Sequence, residues 1–88
     1  MIVSELNGMV ISRFYLSGEV QYEYSRTDKV TNVHRFVRLP TYGRGAVFVL
    51  DESVKRLIAG DQTVATPNGH RHFKVVNLPN CARDEIEF

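Results

Sequence analysis

The sequence predicts a small α+β fold: an antiparallel sheet or partly open β-barrel of about five to six strands with one short helix packed on it. Three observations lead there. Short runs rich in β-branched and aromatic residues are separated by Gly, Pro and Asn turn signals along the whole chain. One stretch alone, around Val54, Leu57 and Ile58, has helical spacing. The 88 residues are 43% hydrophobic and 24% charged, enough apolar material for one core and too little charge for disorder. The chain therefore reads as a single domain over 1–88, with 80–88 as a loose acidic tail.

Val10 to Leu16 is the first expected strand and Val20 to Arg26 the second, joined through Ser17 and Gly18 as an antiparallel hairpin. In the second arm Val20, Tyr22, Tyr24 and Arg26 fall on one face and Gln21, Glu23 and Ser25 on the other. A polar turn at 27–32 leads to a third strand, Val33 to Leu39, neither face of which is wholly apolar. Pro40 lacks a ladder donor, and Thr41 to Gly45 with its two glycines reads as a loop.

Ala46 to Leu50 is continuously apolar and predicts a central strand covered on both sides. Asp51 or Ser53 is expected to cap a helix of about two turns, and Gly60 to end it. Gln62 to Thr66 and His70 to Leu78 then predict a closing hairpin about Pro67-Asn68-Gly69, with Pro79 as its stop.

Composition excludes several classes. The longest apolar run, Ala46 to Leu50, is far short of the ~20 residues that a membrane helix needs. The N-terminus lacks the basic start and apolar stretch of a secretory signal, so a cytoplasmic location is expected. Cys81 is the only cysteine, which rules out an internal disulfide and any zinc site built on several thiolates. Eleven Lys and Arg against ten Asp and Glu leave +1, with no global pull toward nucleic acid. The charges are unevenly placed: Arg35, Arg38 and Arg44 share a stretch without acids, whereas Asp84, Glu85 and Glu87 lie in the tail.

Catalytic signatures are missing. No serine sits in a nucleophile elbow, and the glycines around Arg44 match no Walker or dinucleotide fingerprint. His70 and His72 project to one strand face, but nothing in the sequence brings His34 to them, so no metal or other cofactor is expected. What remains is an interleaving of basic and aromatic residues: Arg13-Phe14-Tyr15, Tyr22, Tyr24, Arg26, the run His34 to Arg38, Tyr42 to Arg44, and His70 to Lys74. Tyr and Arg are the residue types that dominate protein interfaces. The expectation is a non-enzymatic binding protein that regulates or inhibits a protein partner by occupying its surface, in the manner of phage or mobile-element accessory proteins. The alternative is single-stranded nucleic acid held by cations on phosphates and rings on bases. The expected contact residues are Arg35, Phe36, Arg38, Tyr42, Arg44 and Arg71. A homodimer paired through a free sheet edge is compatible with either reading.

Overall fold

The computed structural model describes residues 6–79, so Cys81 and the acidic tail lie outside the described residues. The elements are β1 (Val10–Tyr15), β2 (Gly18–Asp28), β3 (Val33–Arg38), a 3-10 turn (Pro40–Tyr42), β4 (Ala46–Leu50), α1 (Asp51–Ile58), β5 (Thr63–Thr66), β6 (Gly69–His72) and β7 (Lys74–Asn77). Five strands form one antiparallel sheet in the order β4-β3-β2-β1-β7, and β5 with β6 form a separate two-stranded sheet. The larger sheet is not closed into a barrel, so β4 and β7 are its edges.

β1 and β2 pair through Tyr15↔Gly18, which makes Leu16 and Ser17 the turn and leaves Gly18 as the first residue of β2. One face of the sheet is apolar because period-two alternation stacks Ile11, Val20, Tyr22, Tyr24, Phe36 and Val49 on the same side. α1 and the β5/β6 hairpin cover that face with Val54, Leu57 and Val64, and Phe73 inserts with them. Burial of this set, each side chain worth about 1.5–3 kcal/mol, is the main force holding the layers together.

Three expectations are corrected. β4 is an edge strand, with Phe48 45% exposed and only Val49 fully buried, because the chain turns straight from Leu50 into α1 instead of pairing on a second side. Neither Asp51 nor Ser53 caps the helix. Leu50 is the cap residue without a side-chain bond, Asp51 reaches His34, and Ser53 donates to the Ala65 carbonyl at 2.5 Å, tying α1 to β5. The closing hairpin is shorter than expected. Phe73 drops fully buried into the core while its N–H bonds the Gln62 carbonyl at 2.7 Å, and the chain then crosses to pair β7 with β1.

β2 contains a bulge. The register runs Tyr24↔Phe36 and then Arg26↔Arg35, so Ser25 is an extra residue without a partner on β3. Everything after it changes face: Arg26 leaves the apolar side and Thr27 turns toward it, opposite His34. No helix among the described residues is long and apolar enough to cross a membrane.

Candidate functional site

The covered face is not sealed at the end nearest the β1–β2 turn. There, Arg13 and Tyr15 continue the inward side of β1 beyond Ile11, and the β5/β6 turn stands opposite, leaving a hollow of about 270 Å³. Its walls carry Arg13, Arg38 and Arg71, its floor Tyr15 and Tyr22, and its rim Phe48 and Asn68. No carboxylate lines it among the described residues.

The tyrosines and arginines hold one another in place. The Tyr15 and Tyr22 hydroxyls are hydrogen-bonded at 2.7 Å, and an Arg38 terminal nitrogen donates to the Tyr22 oxygen at 3.0 Å. Arg13 lies over the Tyr15 ring at 4.8 Å, and Arg38 lies 5.4 Å from the Tyr22 centroid, within cation–π range. Burial, reinforced by the Tyr15 bond, pushes the Tyr22 phenol above its ordinary value, and Arg38 opposes that shift only in part. The bond to Tyr22 in turn raises the Arg38 guanidinium. The Tyr22 phenol therefore stays neutral and the Arg38 guanidinium stays charged at physiological pH.

Arg38 retains unused capacity. Its Nε is buried without a hydrogen-bond partner among the described residues, a costly state for a guanidinium donor. Gly45 makes room for it. A Cβ there would lie 3.3 Å from Arg38 Nε, and the φ of +154° disfavours any other residue. The β3–β4 loop is thus shaped around the guanidinium.

Of the residues expected from sequence, Arg38 and Arg71 meet in this hollow. Arg44 and Arg35 border a neighbouring groove that Arg38 shares. Tyr42 is half-buried against the core. Phe36 is corrected: it is fully buried, packed edge-on to Tyr24 at 5.8 Å, and has no surface to offer a ligand. Arg13, Tyr15 and Tyr22 join Arg38 and Arg71 from the interleaved basic and aromatic residues, and alternation with Ile11 puts Arg13 and Tyr15 on one face.

A second polar constellation lies beneath α1. His34, only 3% exposed, faces Thr27 Oγ1 with Nδ1 at 2.6 Å and Asp51 Oδ1 with Nε2 at 2.8 Å. Tyr24 bonds the same threonine oxygen at 2.7 Å, and Lys55 approaches Asp51 at 3.4 Å. The line of hydroxyl, imidazole and carboxylate has the order of a nucleophilic relay. Here Thr27 Oγ1 is taken up by Tyr24 as well as His34, and the line joins helix to sheet. The His34 bond holds the Asp51 carboxyl below the usual carboxylate range, with a smaller contribution from Lys55. His70 and His72 are exposed on β6, and no group of three or more His, Cys, Asp or Glu with metal-binding geometry forms among the described residues. Comparison with protein-family models, with curated proteins and with solved structures gives no match to this chain.

Proposed function

We propose that this is a non-enzymatic binding protein that regulates a protein partner by engaging an acidic segment on that partner's surface. The observation that carries this reading is the convergence of Arg13, Arg38 and Arg71 on a tyrosine floor with no carboxylate lining it among the described residues. Guanidinium forks match carboxylates in two-pronged geometry, and the paired tyrosines keep the fork of Arg38 in place before a partner arrives. The β1–β2 turn adds apolar surface beside the charges: Leu16 is fully exposed and Phe14 is 57% exposed. An acidic segment flanked by apolar residues satisfies both features.

Single-stranded nucleic acid shares the arginines but finds fewer rings to stack on. Phe36 and Tyr24 belong to the core, and the Tyr15 face is taken by Arg13. The two readings separate in one titration. A fluorescein-labelled Glu- and Leu-rich peptide and a labelled oligothymidine are measured by anisotropy at low and moderate salt. The expected result is peptide binding that weakens on the order of tenfold in Arg38→Ala and in Arg13→Ala. Oligothymidine binding tighter than peptide binding, with a steep salt slope, transfers the function to nucleic acid.

A further inference from the structure

The Ser25 bulge has a product on the opposite, uncovered face of the sheet. Uninterrupted alternation places Arg26 with Tyr22 and Tyr24 in the apolar layer. The extra residue turns it outward, directly across from Arg35. Like charges in facing positions on neighbouring strands repel, and a sheet normally avoids them or supplies an acid between them. Neither guanidinium forms a hydrogen bond or a close ion pair among the described residues, and Asp28 on the same face acts on Arg26 only through its charge. Bulges are frequently found where a side chain is re-aimed toward a ligand.

Around this pair lies a cavity of about 480 Å³ walled by Phe48, Val33, Pro67, Thr31 and Asp28. That volume lies within the range that encloses small organic ligands. Asp28 is fixed, because its Oδ1 accepts the Val30 N–H at 2.9 Å and the Thr31 N–H at 3.4 Å. These two backbone bonds, helped by the Thr31 side chain and by the charge of Arg26, hold its carboxyl below the ordinary range, so it remains an acceptor. The cavity thus has three chemically distinct walls: two facing guanidiniums, an exposed phenyl ring, and a carboxylate acceptor.

We propose that this cavity is a binding site for a nucleoside monophosphate. The phosphate dianion sits between Arg26 and Arg35 and relieves their repulsion. The base lies against Phe48, and a sugar hydroxyl donates to Asp28. The site is separate from the arginine hollow, on the other face of the sheet, with Phe48 as the one residue bordering both.

The test is an NMR titration of the full chain with adenosine 5′-monophosphate, with adenosine, and with inorganic phosphate. The expected outcome is saturable shifts at Arg26, Thr31, Arg35 and Phe48 with the monophosphate, weaker ones with phosphate and none with adenosine. Arg26→Gln and Arg35→Gln each reduce affinity on the order of tenfold, whereas Arg13→Gln leaves it unchanged. Arg26 is exposed and Arg35 half-buried, and neither belongs to the core, so circular dichroism of each variant is expected to match that of the wild type. The proposal is overturned if about 10 mM monophosphate produces no saturable shift at these residues. It is equally overturned if the shifts survive in both glutamine variants, or if they centre on Arg13, Arg38 and Arg71.

Discussion

Asp51→Ala tests whether the buried polar line is what fastens α1 to the sheet. The carboxylate does three things at once. It accepts from His34 Nε2 at 2.8 Å, it stands in the first turn of α1, and it faces Lys55 at 3.4 Å. Leaving the buried imidazole nitrogen unpaired costs about 1–3 kcal/mol. Loss of a negative charge at a helix N-terminus costs about 0.3–1 kcal/mol, and loss of the exposed lysine pair about 0.3 kcal/mol. The expected destabilisation is about 2–4 kcal/mol, a fall in Tm on the order of 10–25 °C for a domain of this size.

The same contact fixes the pH dependence. The folded Asp51 carboxyl is held below its unfolded value, mainly by His34. Its contribution to stability is therefore complete above the unfolded pKa of about 3.9 and is lost as pH falls through the lower folded value. Thermal unfolding followed by circular dichroism, at neutral pH and at a series of acid values, reads both effects. The gap between wild type and variant should be widest near neutrality and should narrow below about pH 4. Lys55→Ala, which removes only the exposed pair, should change stability by less than about 0.5 kcal/mol. A Tm difference under about 4 °C at neutral pH, or a gap that does not narrow on acidification, would refute the argument.

Three further outcomes follow from other parts of the molecule. Phe36→Ala should cost about 3–5 kcal/mol in urea unfolding, as a core truncation does, and an unchanged midpoint would contradict its burial. Gly45→Ala should cost about 1 kcal/mol or more and shift the Arg38 Nε resonance, because the added methyl meets the guanidinium; an unmoved resonance would show that the loop is not shaped around Arg38. In an absorbance titration the Tyr22 phenol should ionise later than the ordinary value of about 10, and Tyr22→Phe should abolish that late step; a late step that survives in the variant would refute the assignment.

Much of the fold could be read directly from residue pattern. Alternation located β1, β2 and β3 to within a residue or two, since each has one face that must be buried and side-chain direction has a period of two. The Val54, Leu57, Ile58 stripe located α1 for the corresponding reason at helical period. Ala46 to Leu50 misled because a continuous apolar run reports burial on both faces only when neighbours are present to cover them. Here α1 begins at the next residue, and Phe48 is left facing outward on the sheet edge.

The candidate sites were less legible. Arg38 and Arg71 are 33 positions apart by their residue numbers, and Arg13 lies further still from Arg71; pairing through β2 brings Arg13 near Arg38, and the separate β5/β6 hairpin carries Arg71 to the same hollow. The burial of Phe36 and the exposure of Phe48 depend on which face α1 and the β5/β6 hairpin cover, a choice that no local pattern encodes.

What the sequence determined by itself is the class of fold, the position of most elements and the lack of familiar catalytic motifs. These depend on local periodicity and on residue chemistry, both of which are complete in the chain. What only the tertiary structure decided is the strand order, the Ser25 bulge and the grouping of the arginines. A single extra residue in a ladder reverses the face of every side chain that follows it. That reversal brought Thr27 to His34 and turned Arg26 out to Arg35, and it became visible only once β3 was paired alongside.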